Sequence, residues 1–442
     1  MKRKSKKILG IILMLFISIN LHANVIKEIK VRKELYPQNF EKEFQENLNF
    51  FIDGVGVDPK AHIPYDTITI NDGKVEPAMY TNTSEIGLYL NLLVEMEKAG
   101  DKKALVRISQ VLGTLEAAPK WEGLFYWPYD IKDGKLVKPE NEIIPSVDNG
   151  NLAFSLASVA GAYIDSKDKD KKEIVARIDK LLGAQANGWV KLYDKNKKLL
   201  SAGWDSKANK SLGYFIDRKT NESRIAALWA VLSTSDLKNK VPNKAFTNME
   251  LHRKKYTIKD KEYNPMLTWD GSFFQAMLPG IWIDEKALIS DYSMVEDNFK
   301  IQVYYAVNNG IPALVSASTT VQNEYLAYGV PYISEKAVLF KEPIHEGGTG
   351  TPHATALAYM IDKKQTVDFL KRLRTKYPEI NSTYGWYDAI DNNGKMSHKV
   401  LSLDQGMFIG AFLSDNIHKD VNNYLEHKGY SELIKKLYKS FK

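Results

Sequence analysis

Residues 145–163 read PSVDNGNLAFSLASVAGAY and join a polar cluster to a helix that is apolar nearly all round. Asp148, Asn149 and Asn151 lie in or beside its first turn. A helix with so little polar surface is normally buried. Because a lone buried carboxylate is costly, we expect these side chains to open into a cleft or to pair in the interior. For this segment alone, the alternative that Ser146 or Asp148 only caps the helix stays open.

The same arrangement of a polar start and an apolar helix recurs along the chain. The six starts are at Glu85, Asp148, Glu222, Ser272, His353 and Asp404. One-sided apolar patterns at helical spacing predict further helices over residues 40–51, 104–115, 174–182 and 367–373. Buried helices thus alternate with amphipathic ones, and this alternation predicts an all-α fold of inner and outer helices.

The N-terminus carries the features of an export signal. It opens MKRKSKK, continues with ILGIILMLFISINL and reaches His22 and Ala23. A basic segment, an apolar segment and a small residue predict a signal peptide over residues 1–23, and hence a periplasmic or secreted protein. An uncleaved membrane anchor is the alternative, because Leu21 is larger than the residue usual at its position. With no linker in sight, residues 24–442 are predicted to form one domain.

Composition excludes several classes of function. Five of the 61 basic residues and none of the 54 acidic residues precede residue 24, so the remaining chain is close to neutral and is not expected to bind nucleic acid. The chain has no cysteine, which excludes disulfides, thiol catalysis and cysteine zinc sites. After signal cleavage we expect no membrane association.

Aromatic clusters lie between the predicted helices. Residues 121–129 read WEGLFYWPY, residues 192–204 contain a predicted hairpin with its turn at 194–197, and residues 384–388 read YGWYD. These segments either cover helix ends or form the walls of a binding groove. Aromatic rings pack against the C–H faces of sugars, so the groove interpretation favours a carbohydrate ligand.

Eight segments occur in the order in which the glucoamylase-like glycoside hydrolase group carries similar ones. They are TNTSEIGLYLNLL, IPSVDNGNLAFSL, NESRIAALWAV, TWDGSFFQAMLP, EYLAYGVP, TPHATALAY, YGWYDAI and LSLDQGMFIGAFL. Over residues 65–415 the chain resembles this group, which in turn resembles the endo-β-1,2-glucanases and has an exported branch of unassigned function. The resemblance implies an (α/α)6 toroid, with short β-hairpins and long loops around a sugar cleft at the N-terminal ends of the inner helices.

The resemblance also implies site residues. Glycoside hydrolysis needs one protonated and one ionised carboxyl group, and Asp148, Glu222 and Asp404 stand at positions similar to the group's catalytic acids. We assign Glu222 as proton donor. Asp148 and Asp404 lie in first helical turns, where the helix dipole favours the anion, and take base and sugar-hydroxyl roles. The substrate-binding residues expected are Glu85, Asn149, Trp127, Trp204, Trp269, His353, Trp386, Asp388 and Gln405.

The roles assigned to Glu222 and Asp388 each have alternatives. Glu222 is either the acid or only a helix-start residue near Arg224, and Asp388 either contacts sugar, orients Asp404 or only forms a turn. The chain also departs from the group: Gln275 replaces a usual Glu, and the loop 315–325 keeps only part of a Trp-Gly-Ile-Ser element. The sequence HEGG at 345–348 lacks the second His of a zincin helix, so no metal is expected.

The sequence therefore predicts a monomeric, exported glycoside hydrolase without a cofactor. Its substrate would be a polysaccharide or oligosaccharide of the β-glucan or bacterial exopolysaccharide class, cleaved by an endo-acting, inverting mechanism. A non-catalytic glycan-binding protein on the same fold is the first alternative. A polysaccharide lyase is the second, and it would favour a cleft rich in Arg, Lys, Tyr and His.

Overall fold

The computed structural model describes residues 25–442, in which α-helix is the dominant element. The predicted signal peptide, residues 1–23, lies outside the described residues. Within residues 25–442 no helix is both long enough and apolar enough to cross a membrane. The α-helices are α1 Glu41–Leu48, α2 Thr83–Lys98, α3 Lys102–Ala117, α4 Ser146–Tyr163, α5 Lys169–Ala184, α6 Ala186–Leu192, α7 Arg224–Ser233, α8 Lys244–Thr247, α9 Phe273–Met277, α10 Glu285–Leu288, α11 Ser293–Asn308, α12 Pro352–Leu357, α13 Lys363–Lys376, α14 Ser402–His427 and α15 Ser431–Tyr438.

Short antiparallel strands lie in the segments between the helices. They form three-stranded sheets in the orders β2-β1-β22, β13-β10-β9, β12-β11-β8 and β3-β6-β7, and five two-stranded ones. The strands are β1 Thr67–Asn71, β2 Lys74–Pro77, β3 Tyr80–Thr81, β4 Lys120–Trp121, β5 Leu124–Phe125, β6 Tyr129–Lys132, β7 Lys135–Val137, β8 Ile143–Pro145, β9 Tyr193–Asp194, β10 Leu199–Ser201, β11 Gly203–Asp205, β12 Lys210–Ser211, β13 Phe215–Ile216, β14 Tyr256–Ile258, β15 Lys261–Tyr263, β16 Ser318–Thr319, β17 Tyr325–Leu326, β18 Thr349–Gly350, β19 Asn381–Ser382, β20 Gly385–Trp386, β21 Ile390–Asp391 and β22 Lys399–Leu401. The predicted hairpin near residue 195 is confirmed, because Asp194 of β9 pairs with Leu199 of β10.

All six helices predicted from polar starts are present as α2, α4, α7, α9, α12 and α14. Their apolar residues are buried, as their composition predicted. Two of them are short: α9 passes into a 3-10 turn at Leu278–Ile281, and α12 into another at Ala358–Met360. Pro279 explains the first, since proline has no N–H to continue the α-helical pattern.

These six helices pack in sequence against one another. Helix α4 contacts α2, α7 and α14, α14 also contacts α2 and α12, and α12 contacts α9. Arg224 of α7 completes the series by donating to the carbonyl oxygens of Gln275 and Ala276 in α9. The predicted amphipathic helices lie outside them, with α3 against α2, α5 against α4 and α13 against α12.

Two glycines allow α4 to approach its neighbours closely. A Cβ added at Gly150 would lie 2.6 Å from the Cα of Ala226 in α7, and one at Gly161 would meet the main chain of Asp420 in α14. Both contacts are closer than any side chain permits, so these glycines set the position of α4. The start of α4, with Asp148, is thereby held next to the start of α7, with Glu222.

Candidate active site

Two cavities lie at the polar ends of the buried helices, and they share a wall. The first cavity has a volume of about 530 Å³ and is lined by Glu85, Asp148, His353 and Asp404, among others. The second cavity has a volume of about 690 Å³ and includes Glu222 in its lining. Asp148 and Trp127 line both cavities, so the two form adjoining halves of one groove.

Asp404 and Asp388 form a buried carboxyl pair beside the first cavity. Asp404 lies in the first turn of α14, whereas Asp388 lies in the loop before β21. Burial raises the pKa of Asp404 to about 7, although its hydrogen bond with Asp388 acts in the opposite direction. Burial and then the charge of Asp404 raise the pKa of Asp388 well above its usual range. Asp388 therefore keeps its proton at neutral pH, and Asp404 is the member that can ionise.

His353 completes this corner of the site. Its Nδ1 lies 3.3 Å from Asp404 Oδ1 and 3.9 Å from Asp388 Oδ1. Burial lowers the pKa of His353 to about 4, so the imidazole is neutral at pH 7. We predicted that His353 binds substrate, and it lines the first cavity with only 3% of its surface exposed. It is a neutral polar group in the cavity wall.

Asp148 stands where the two cavities meet. Ser84 Oγ donates a 2.7 Å hydrogen bond to Asp148 Oδ1 and accepts one of 2.9 Å from Asn151 Nδ2. Burial raises the pKa of Asp148 to about 6, against the lowering effect of the Ser84 hydrogen bond. Burial thus outweighs the helix dipole that was expected to hold Asp148 and Asp404 ionised at low pH.

Glu222 precedes the first turn of α7 and faces the second cavity. Burial raises its pKa to about 7, and its Oε2 is a buried atom without a hydrogen-bond partner among the described residues. Arg224, which the sequence suggested as a neutralising neighbour, is occupied elsewhere: its Nη2 lies 2.6 Å from Glu285 Oε2. Glu222 is therefore a carboxyl group that retains its proton near neutrality.

Glu85 and Asp66 form a second carboxyl pair in the first cavity. Asn82 and Glu85 form a capping box at the start of α2. Burial, followed by the charge of Asp66 and a hydrogen bond with it, raises the pKa of Glu85 well above its usual range. Asp66 itself accepts from Thr67 Oγ1 at 2.6 Å. After burial, its charge also contributes to the raised pKa values of Asp148 and Asp404.

Exposed aromatic side chains follow the groove through both cavities. Tyr80, Trp127 and Tyr325 line the first cavity, and Trp127, Tyr214 and Trp269 line the second. Each of the five is more than a third exposed. Trp127 and Trp269 thus lie in the groove, as their predicted role in substrate binding requires.

Two amides predicted to bind substrate bond to the main chain instead. Asn149 accepts from Phe125 N at 2.8 Å and donates to the carbonyl oxygens of Phe125 and Pro145. Gln405 exchanges two 3.0 Å hydrogen bonds with the main chain of Trp386. Both amides are buried and line neither cavity. They hold the loops beside α4 and α14, and the prediction that they contact substrate is corrected.

Two tryptophans and one serine also lie away from the groove. Trp204 stacks on Trp121 with ring centroids 5.2 Å apart, and Trp386 stacks in the core on Phe408. Neither lines a cavity, so their predicted substrate contacts are corrected as well. Ser272, which we expected in the cleft, bonds to Ser316 Oγ at 2.9 Å and holds a loop.

Among the described residues, His353, Asp388 and Asp404 are the group whose donor set fits a metal ion. One imidazole nitrogen and two carboxylate oxygens lie within 4.8 Å of one another. The proton shared by Asp388 and Asp404 also accounts for this closeness without a cation. The residues thus fit either a bound cation or a shared proton.

No motif in the sequence identified Asp66, Tyr80, Tyr214 or Tyr325 as a site residue. Asp66 precedes β1, and its place in the site depends on long-range pairing: Asp66 O accepts from Ser402 N at 2.7 Å, beside the start of α14. Tyr325 lies in the loop that departs from the family pattern. Exposed aromatics next to a predicted cleft are the one signal that could have identified the tyrosines.

Comparisons with known proteins agree with this fold. A family model described as "Putative glucoamylase" matches residues 214–421. No curated protein matches the chain in sequence. The resemblance to the glucoamylase-like group and to endo-β-1,2-glucanases is confirmed by this model together with solved structures.

Three solved structures illustrate the similarity. A "putative glucoamylase" from Bacteroides caccae has a TM-score of 0.72 at 17% identity, over 88% of this chain and 97% of that one. An endo-β-1,2-glucanase variant from Talaromyces funiculosus in complex with β-1,2-glucan has a TM-score of 0.77 at 12% identity, over 93% and 91%. The endo-β-1,2-glucanase from Chitinophaga pinensis, in complex with sophorotriose and glucose, has a TM-score of 0.69 at 18% identity, over 87% and 96%. At sequence identities of 12 to 18%, these comparisons show that the chain shares the fold of these proteins.

Proposed function

We propose that this protein is a glycoside hydrolase that cleaves the internal bonds of a β-glucan, with inversion at the anomeric carbon. The observation that carries the proposal is the placement of three acids along one groove, of which Asp404 is buried and Asp148 and Glu222 are half-buried. Asp404 lies in the first cavity, Glu222 in the second, and Asp148 where the two meet. A sugar chain laid through the groove would present a glycosidic bond near Asp148, with an acid on either side.

The raised pKa values support the division of roles between these acids. Glu222 retains its proton near neutrality and would donate it to the leaving glycosidic oxygen as the carbon–oxygen bond breaks. Asp404 would accept a proton from the water that attacks the anomeric carbon from the opposite face. The protonated Asp388 would stabilise the carboxylate of Asp404 through their hydrogen bond. Asp148 would hold a sugar hydroxyl next to the reacting bond.

The lining of the groove favours a neutral glucan over an acidic polymer. Its acids include Asp66, Asp148 and Asp217, whereas Lys399 and Arg218 are its Lys and Arg residues. An anionic polysaccharide would be repelled by this excess of acids. The exposed rings along the groove offer stacking surfaces for sugars. The neighbouring structures bind β-1,2-glucan, sophorose and sophorotriose, and we propose the same linkage here.

The architecture proposed for this function is an (α/α)6 toroid. The series of contacts through α2, α4, α7, α9, α12 and α14 supports a closed ring of inner helices with the groove at their N-terminal ends. We further propose that residues 24–442 form one domain, that the protein acts as a monomer, and that it is exported to the periplasm or the medium after cleavage of residues 1–23.

The test is incubation of the purified protein with a panel of polysaccharides, with products identified by mass spectrometry and their anomeric form by NMR. We expect oligosaccharides of mixed length from linear β-1,2-glucan, released as the anomer opposite to the substrate linkage. Binding without product release would instead indicate the glycan-binding protein, which the replacement at Gln275 kept open. An unsaturated product absorbing in the ultraviolet would indicate a lyase.

A further inference from the structure

A short hairpin closes one side of the first cavity. Its strands are β16 and β17, paired antiparallel with Thr319 opposite Tyr325. The turn is closed by Thr320 N donating to Glu324 O at 2.7 Å, with Asn323 at a φ of 64°. Ser272 Oγ, at the start of α9, accepts from Ala317 N at 3.2 Å and fixes the base of the hairpin.

Asp388 joins this hairpin to the catalytic pair. The main-chain N–H of Thr319 donates a hydrogen bond to Asp388 Oδ2. The same Asp388 carboxyl group lies beside that of Asp404, with oxygens of the two within 4.8 Å of each other. The buried side chain of Asp388 thus contacts both Asp404, which is the proposed base, and β16, whose Thr319 is paired with Tyr325.

Tyr325 extends from the hairpin into the first cavity. It lines the cavity together with Asp148, His353 and Asp404. The side chain is 58% exposed, so its ring faces the open groove. Tyr325 therefore shares the first cavity with Asp404, the proposed base, and with Asp148.

We propose that Tyr325 is a further substrate-contacting residue of the site, and that Asp388 positions it to donate a hydrogen bond to the sugar held between Asp404 and Glu222. This inference rests on the proposed function and adds a residue to it. A phenol that stays neutral is suited to this role, because it donates a hydrogen bond without adding charge to an acidic site. The ring would at the same time cover one face of the sugar.

The first test compares Tyr325→Phe with Tyr332→Phe on β-1,2-glucan. Tyr332 is 47% exposed and lines neither cavity, so its hydroxyl is a matched control. We expect Tyr325→Phe to lower kcat on the order of ten-fold to a hundred-fold, because the sugar is misplaced relative to the acids, with a smaller change in KM since the ring remains. Tyr332→Phe should match the wild type. Equal activity of the two variants would overturn the proposal.

The second test addresses positioning by Asp388 through double-mutant cycles. An Asn at this position can still accept from Thr319 N, whereas an Ala cannot. Tyr325→Phe should therefore keep its cost in an Asp388→Asn background and lose most of it in an Asp388→Ala background. The same cost in both backgrounds would show that Asp388 does not position Tyr325. Circular dichroism and thermal unfolding of each variant check that it is folded.

Failure of the Tyr325–sugar contact can be distinguished from failure of the proposed hydrolysis. Should the wild type release no product from any polysaccharide, hydrolysis fails, and Tyr325 is tested by calorimetry with β-1,2-gluco-oligosaccharides. Weaker binding by Tyr325→Phe than by Tyr332→Phe would then support the sugar contact. Equal affinity of the two variants, or no binding by the wild type, would overturn it.

Discussion

The carboxyl groups of Asp388 and Asp404 lie side by side in the buried wall of the first cavity, with oxygens of the two within 4.8 Å of each other, and His353 Nδ1 lies 3.3 Å from Asp404 Oδ1. Two carboxylate charges within 4.8 Å of each other are costly in a buried site, so one proton remains on the pair of carboxyl groups at neutral pH. The neutral His353 does not compensate the charge. Burial raises the pKa of Asp404 to about 7, so this carboxyl group changes protonation near pH 7, which is the requirement for a general base.

The pH dependence of kcat/KM should be a narrow bell centred near pH 7. Asp404 has a pKa raised to about 7 and must be ionised, so activity should fall as the pH decreases through 7. Glu222 has a pKa raised to about 7 and must be protonated, so activity should fall as the pH increases through 7. Initial rates on β-1,2-glucan across the pH range measure both limbs. A profile without an alkaline limb would contradict the role of Glu222.

Removal of divalent cations should leave hydrolysis unchanged. His353, Asp388 and Asp404 have the donor set of a metal site. A proton shared by the two carboxyl groups also removes the repulsion between them, so no cation is required. We expect equal rates after dialysis against EDTA and after addition of Ca²⁺, Mn²⁺ or Zn²⁺. Loss of activity with EDTA and its return with one cation would replace the shared proton with a metal.

Trp127 should contribute to substrate binding, whereas Trp204 should not. Trp127 lines both cavities and is 44% exposed, while Trp204 stacks on Trp121 away from them. A stacking contact is worth about 1 kcal/mol beyond area burial, so Trp127→Ala should raise KM roughly five-fold. Trp204→Ala should lower thermal stability at an unchanged KM. A KM effect confined to Trp204→Ala would reverse this assignment.

The ion pair between Arg224 and Glu285 should matter for stability more than any surface pair. Arg224 is 1% exposed and its guanidinium bonds to both carboxylate oxygens of Glu285. Glu285→Ala leaves a buried charge unpaired and should lower the free energy of unfolding by about 3 to 5 kcal/mol. Asp415→Ala breaks an exposed pair with Lys363 and should cost less than about 1 kcal/mol. Urea unfolding measures both, and similar values for the two variants would contradict the prediction.

The helices and their polar starts could be predicted because both depend on local sequence. Asp148 and Asp404 are found in first helical turns beside one cavity, as the pattern indicated. The hydrogen-bond partners of the amides near the start of α4 could not be predicted. Asn149 and Asn151 are two residues apart, yet one binds the main chain of a neighbouring loop and the other Ser84. The choice depends on which loop packs against the helix start.

Long-range pairing explains most of the remaining omissions. Asp66 enters the site because β1 pairs with β22, a contact between residues far apart in sequence. The raised pKa of Glu222 likewise depends on tertiary burial. A helix-start acid would ordinarily be ionised, so sequence alone could not show that this one keeps its proton.

The most direct measurement is the turnover of β-1,2-glucan by Glu222→Gln, with product release followed by mass spectrometry and substrate binding by calorimetry. The amide keeps the shape of the side chain and loses the transferable proton. General acid catalysis is worth about a hundred-fold to ten-thousand-fold, so we expect a loss of turnover of that order with binding retained. Turnover close to that of the wild type would contradict the assignment of Glu222 as proton donor, and with it the central claim.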